Sequence, residues 1–225
     1  MVMCVTVKRK SGRPAKVPGE KGTKERIFDT AIDLFAERGY DGVSIRDIAA
    51  AVGIKESSIY KHYTGKEEIL DSIFEYFLEA WRQSVAGKWS VSSEAEEQVV
   101  SMGLDGFMAM ASGVFTSWLG DPRMEKIMRV SFIELYHNEK IRKSQLAFLD
   151  AGYAFFESSF AIMIKHKLIK PIDPKVLAME YMSFYMNALV DYFIMRYGTM
   201  SGSFLQEYGA RIKEHTAFIT NSIKP

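Results

Sequence analysis

The chain has 225 residues, 48% hydrophobic and 25% charged, the balance of a folded globular protein with room for one large or two modest cores. Its formal net charge of +1 hides an asymmetry: residues 1–66 hold 13 Lys or Arg against 8 Asp or Glu, and the remainder 16 against 20. The single cysteine, Cys4, excludes an intramolecular disulfide and a thiolate metal site, and the opening MVMCVTVKRKSGRP has too short an apolar run for a secretory leader, so the expected location is cytoplasmic.

Residues 1–22 read as a flexible basic arm. Lys8, Arg9, Lys10, Arg13, Lys16, Lys21 and Lys24 are interleaved with Pro14, Pro18 and three glycines. Gly12-Arg13-Pro14 resembles an AT-hook, which lays an arginine in a narrow minor groove; a disordered solubilising tail is the equal alternative. Gly19 to Lys24 lacks the full GxxxxGK[ST] spacing and no strand precedes it, so a nucleotide loop is rejected.

Thr23 is expected to cap a helix running to Arg38, with Ile27, Ala31, Leu34 and Phe35 as its buried stripe and Gly39 as its stop. Ser44 followed by Asp47 is a capping-box start for a short helix carrying Ile45, Ile48, Ala49 and Val52 on one side. Gly53 permits the tight backbone that follows, Ile54 plugs the corner, and a second helix over Glu56–His62 turns Ile59 and Tyr63 inward. This is a helix-turn-helix. Its outward side carries Lys55, Ser57, Ser58, Tyr60, Lys61 and His62, groups able to reach phosphates and base edges in a major groove.

Residues 24–70 resemble the DNA-binding domain of the TetR family of transcriptional regulators. The marks are Ala31, Leu34 and Phe35; Gly39-Tyr40; Ser44-Ile45-Arg46-Asp47-Ile48-Ala49; Val52-Gly53-Ile54; Ser58-Ile59-Tyr60 with His62-Tyr63; and Lys66-Glu67-Glu68-Ile69-Leu70. Three positions depart from the pattern: Lys55 stands where a Ser or Thr cap is usual, Glu56 where a base is frequent, and Ser57 where Gly or Pro is frequent. The resemblance implies a DNA-binding domain over 23–66, a helical effector-binding and dimerisation domain over 67–225, and a double-stranded DNA operator as partner. The DNA-facing set is Arg13, Ser44, Arg46, Lys55, Ser57, Ser58, Tyr60, Lys61, His62 and Lys66, with Lys66 and the start of its helix offered to a phosphate.

Beyond Lys66 the apolar stripe Ile69, Leu70, Ile73, Phe77 and Leu78 continues to Trp81, and Gly87 to Ser93 reads as a loop. Helices are expected near 94–118, 123–137, 139–168, 174–197 and 203–221, separated by Gly/Pro/Asp breaks. No stretch alternates long enough to demand a sheet, so the fold class is all-α. Val176 to Tyr197 approaches membrane-helix length, but Glu180 and Asp191 would be costly in hydrocarbon, and no membrane is expected. A helix apolar round much of its surface suits burial between its own domain and a second subunit. By the resemblance, the homodimer face is Met182, Tyr185, Met186, Leu189, Phe193, Tyr208, Ile212 and Phe218. The resemblance also implies an apolar effector pocket, for which Trp81, Phe107, Met108, Phe115, Trp118, Phe132, Tyr136, Phe155 and Phe156 are the candidates, with tyrosine hydroxyls orienting the ligand.

His62, His137, His166 and His215 form no metal-ligating cluster in sequence, and neither a GxSxG elbow nor a dinucleotide loop is present, so no metal, cofactor or enzymatic activity is expected. The implied function is a DNA-binding regulator, a repressor released by a hydrophobic or aromatic small molecule. The alternatives are an effector-independent regulator or activator, and a helical ligand-binding or enzymatic protein whose amino-terminal module is incidental.

Overall fold

A computed structural model describes residues 21–83 and 93–225, leaving aside the side chains of Trp81 and Ser93. Among the described residues there are nine α-helices and no strand. Helix α1, Thr23–Arg38, buries Ile27, Ala31, Ile32, Leu34, Phe35 and Ala36. Its cap position is Gly22, with no side-chain bond, so Thr23 is the first helical residue rather than the cap. Gly39 stops the helix at φ +74°, a conformation that favours glycine, and its N–H returns to the Phe35 carbonyl at 2.9 Å.

Helix α2, Ile45–Val52, starts on a reciprocal capping box. The Ser44 N–H donates to Asp47 Oδ2 at 2.8 Å, and the Asp47 N–H to Ser44 Oγ at 3.1 Å. The Ser44 hydroxyl, which also donates to Asp47 Oδ2, and then the Ser44 N–H favour the anion and hold the Asp47 carboxyl below its usual pKa. Gly53 is left-handed at φ +75° and ends the helix. Helix α3 covers Glu56–Ile59, shorter than the sequence suggests. Beyond Ile59 the chain tightens: the amides of His62 and Tyr63 both converge on the Ile59 carbonyl, at 2.8 and 3.0 Å. Ile59 and Tyr63 remain turned inward, 0% and 3% exposed. Helix α4, Lys66–Gln83, buries Ile69, Leu70, Ile73, Phe74 and Phe77.

The remaining helices are α5 (Ser93–Leu119), α6 (Pro122–Glu134), α7 (Glu139–Lys165), α8 (Pro174–Val190) and α9 (Phe204–Ile223). Their starts follow the sequence. Asp121 caps α6 through the Arg123 N–H at 2.8 Å, Asn138 caps α7 through Ile141, and Asp173 caps α8 through Lys175 and Val176. The expected continuous helix to Tyr197 instead widens after Val190 into a π turn, Asp191–Met195. Helix α5 is kinked at Gly103, where φ is +62°. Helices α5 and α7 have windows of mean hydropathy 1.4 and 1.3, long and apolar enough to span a bilayer by composition. In the fold they pack with each other and with α8 and α9, and Phe107, Phe155, Phe160 and Met163 are almost fully buried there. Helix α6 lies between this bundle and α1.

Candidate nucleic-acid interface and effector cavity

The exposed end of the helix-turn-helix collects Ser44 and Arg46 from the start of α2 with Lys55, Ser57, Tyr60 and Lys61 from α3 and its flanks; Ser58 and His62 are half-buried. Tyr60 is 56% exposed although large and aromatic. Arg46 Nε donates to Glu56 Oε1 at 3.1 Å, linking α2 to α3. Arg13 lies outside the described residues.

Lys66 sits differently from the sequence expectation. Its ammonium donates to the Tyr40 carbonyl at 2.7 Å and stands 3.9 Å from the centroid of the Tyr40 ring. It therefore ties the start of α4 to the α1–α2 corner instead of standing free for a phosphate. The neighbouring Thr64 amide is likewise taken, by Glu68 Oε2 at 2.5 Å.

Helix α6 runs parallel to α1, because their contacts advance in step. Arg123 pairs with Asp29 at 2.7 Å, Lys126 with Asp33 at 2.6 Å, Arg129 Nε donates to the Ala36 carbonyl at 2.6 Å, and Glu134 Oε1 accepts the Tyr40 N–H at 2.9 Å. The last two matter most for position. Glu134 is a buried carboxylate, 5% exposed, and it satisfies an amide that the end of α1 leaves open. Arg129 also donates Nη1 to the Phe193 carbonyl inside the π turn and lies against the Tyr197 ring. Burial pulls its pKa below the usual arginine value. One guanidinium thus joins α1, α6 and the end of α8.

A cavity of about 110 Å³ lies between α5, α7 and α8. Its wall is formed by Met110, Val114, Phe115 and Trp118 from α5, Phe148, Gly152, Phe155 and Phe156 from α7, and Tyr181, Met182, Tyr185, Met186 and Leu189 from α8. Polar atoms contribute almost nothing to it. The Tyr181 and Tyr185 hydroxyls bond each other at 2.9 Å, and Tyr185 reaches Thr216 Oγ1 at 3.4 Å. Burial, with the Tyr185 contact, pushes the Tyr181 hydroxyl pKa up.

Of the expected lining residues, Phe115, Trp118, Phe155 and Phe156 reach the cavity. Phe107 is 0% exposed and stacks behind it on Phe155 at 5.7 Å, while Met108 is buried on the side of α5 that faces α9. Phe132 stacks on Phe193 at 5.9 Å, outside the cavity, and Tyr136 is 86% exposed beyond the end of α6. The Trp81 side chain lies outside the described residues. The dimer set needs a similar correction. Tyr185, Leu189, Phe193, Tyr208 and Ile212 are buried within the single chain, and Met182 and Met186 line the cavity. Phe218, at 68% exposure, faces outward. The outward stripe of α8 and the π turn is instead Val176, Met179, Val190 and Ile194, 51%, 51%, 38% and 45% exposed. The sequence signal for the cavity wall was Gly152, a glycine inside a helix otherwise crowded with aromatic residues: a Cβ there would stand 2.9 Å from Met182 Cε.

The described residues thus combine an exposed helix-turn-helix face with a partly open apolar cavity in an all-helical fold. Residues 27–73 match the family described as bacterial regulatory proteins, tetR family, and the amino-terminal domain of this chain belongs to that family. The chain is 47% identical over 60 residues to the biofilm operon icaADBC HTH-type negative transcriptional regulator IcaR of Staphylococcus epidermidis, covering 25% of this chain and 32% of that protein. It is 35% identical over 100 residues to the HTH-type transcriptional repressor KstR2 of Rhodococcus jostii, covering 44% of each. These matches therefore span less than half the length of the curated relatives. Across nearly the whole chain the fold is similar to that of AibR, solved in complex with isovaleryl coenzyme A and operator DNA, with a TM-score of 0.55, 22% identity and coverage of 85% of this chain and 96% of AibR.

Proposed function

We propose that the protein is a cytoplasmic, homodimeric transcriptional repressor that leaves its operator when a small apolar molecule fills the α5–α7–α8 cavity. The observation that carries the reading is Arg129, whose guanidinium bonds the last turn of α1 and the π turn at the end of α8 at once. Tyr185 and Leu189, in the cavity wall, lie within two helical turns of that π turn. A ligand that displaces α8 moves the Phe193 carbonyl, and Arg129 carries the displacement to Ala36 and the mounting of the recognition helix. The similarity to named negative regulators and repressors supports the sign of the effect. An apolar wall without acid, base or nucleophile supports binding rather than catalysis. A cavity near this size suits a hydrocarbon chain or a single aromatic ring.

The ligand acts only through its preference for the DNA-free geometry, and a tenfold preference corresponds to about 1.4 kcal/mol. The test is a duplex containing an inverted repeat from the DNA flanking the gene, titrated with the full-length protein with and without toluene, indole and short-chain acyl compounds. A compound that raises the melting temperature and weakens operator affinity together is the expected result. Specific operator binding that no compound shifts leaves an effector-independent regulator; no specific duplex binding at all overturns the reading.

A further inference from the structure

We propose that Glu56 is a specificity-determining residue that accepts a hydrogen bond from a cytosine amino group in the major groove, with Arg46 as its positioning residue. The proposal rests on the DNA-binding reading above. Glu56 is exposed and is the only acid from Lys55 to His62. It is also the first residue of the recognition helix, the end from which helix-turn-helix proteins read base edges.

An acid at that place is unfavourable unless something compensates it, because the phosphates flanking the groove repel it. Arg46 supplies that compensation: its Nε donates to Glu56 Oε1 at 3.1 Å across the turn between α2 and α3. The Arg46 side chain is 83% exposed and that of Glu56 45%, so the pair stands in water in the free protein. Pairs so exposed contribute little to stability, and fold stabilisation is a weak reason for this one.

The geometry suits a reader. The bond engages Oε1 and leaves Oε2 to accept from outside the protein. Guanine presents two acceptors in the major groove and thymine a carbonyl and a methyl, all of which disfavour a carboxylate. Adenine offers an amino group, but its N7 acceptor lies beside it; the cytosine amino group has no acceptor next to it on its own base. A carboxylate held by Arg46 therefore selects C·G at one place in each half-site and penalises the other pairs. Meanwhile Arg46 cancels most of the cost that the acid imposes on every sequence.

The experiment is selection of duplexes from a library with a randomised central segment, by the full-length wild-type chain and by Glu56→Gln, Glu56→Ala, Arg46→Ala and Arg46→Lys, each first checked for an unchanged helical spectrum and melting temperature. Wild type is expected to enrich an inverted repeat with a C·G pair at one fixed position per half-site. Both Glu56 variants should lose about tenfold in discrimination at that pair while keeping the rest of the motif, and Glu56→Gln should shift the preference toward A·T. Arg46→Ala should weaken the same preference and lower affinity for all duplexes, and Arg46→Lys should recover most of it. If both Glu56 variants enrich the wild-type motif and bind every duplex more tightly by the same factor, Glu56 merely repels phosphate and the proposal is overturned. A wild-type chain that enriches no motif instead fails the DNA-binding reading, and this proposal with it.

Discussion

Arg129 on α6 donates its Nε hydrogen to the carbonyl of Ala36, in the last turn of α1, at 2.6 Å. The same side chain donates Nη1 to the Phe193 carbonyl, so two backbone oxygens far apart in the sequence depend on one cation. Replacing it with methionine keeps much of the apolar stem and removes both donors. Two partly buried acceptors then lose their partner, at a cost of about 1–3 kcal/mol. Arg129→Met is expected to lower the melting temperature of the free protein. Toluene should still raise that temperature, while the response of operator affinity to toluene disappears. Paired melting and fluorescence-anisotropy titrations separate the two effects, and an unchanged affinity response would show that coupling runs elsewhere.

At Gly152 the cavity wall depends on a missing side chain. A Cβ at that position would stand 2.9 Å from Met182 Cε and 3.7 Å from its Sδ, so Gly152→Ala pushes the end of Met182 toward the cavity. Alanine also gains up to about 1 kcal/mol in helix propensity over glycine. The expected result is a protein as stable as wild type, or slightly more so, in which the toluene-induced rise in melting temperature falls. Undiminished ligand binding in Gly152→Ala, measured by calorimetry, would place the ligand elsewhere.

Neither Arg129 nor Gly152 was singled out in the sequence, whereas many helix ends were. Ser44 with Asp47, Gly39, Gly53, Asp121 and Asp173 each carry a local backbone requirement, and the helix ends fall at or next to them. The inward stripe of α8 carried no such local signal. Tyr185, Leu189 and Phe193 are apolar at helical spacing, and periodicity cannot say whether such a stripe meets its own chain or a second one. The resemblance implied that they form a dimer face; in the fold one side of α8 is cavity wall and another is exposed. Lys66 has a partner that the sequence does not show: the Tyr40 carbonyl, 26 residues earlier, stands 2.7 Å from its ammonium. Arg129, Glu134 and the π turn bear no motif at all, because their roles exist only through long-range contacts.

His215 gives the fold a pH dependence of defined sign. Its ring lies 4.1 Å from the Phe184 ring, nearly parallel to it, close to the Tyr181 and Tyr185 rings, and its buried Nε2 has no hydrogen-bond partner among the described residues. Burial is the larger influence and lowers its pKa below the usual 6.5, outweighing a backbone bond with Tyr181 that acts the other way. A histidine depressed in the fold is bound by protons more readily when unfolded. Its contribution to stability is therefore complete above about 6.5 and lost as pH falls through the lower folded value. His215→Phe preserves the stack and removes the titration. Below pH 6.5 the variant is expected to keep more of its neutral-pH stability than wild type, in urea melts at closely spaced pH values. Parallel stability–pH curves for the two proteins would exclude His215 as the source.

The outward positions on α8 and α9 give the dimer a test that the inward ones cannot. Met179 is 51% and Phe218 68% exposed in the single chain, whereas Leu189 is 4% exposed and lines the cavity. A glutamate at Met179 or Phe218 meets water in a monomer and an apolar surface in a dimer, so its cost falls on association alone. Either substitution is expected to weaken dimerisation by tenfold or more, a typical scale for truncating or charging an aromatic anchor, with no loss of helical signal. Leu189→Glu places a charge in the apolar interior of one chain and should cost several kcal/mol of folding stability whatever the oligomeric state. Sedimentation velocity at micromolar concentration, read beside circular dichroism, distinguishes the cases. Met179→Glu and Phe218→Glu chains that remain dimeric would move the interface off this face, and a well-folded Leu189→Glu monomer would mean that Leu189 faces the partner after all.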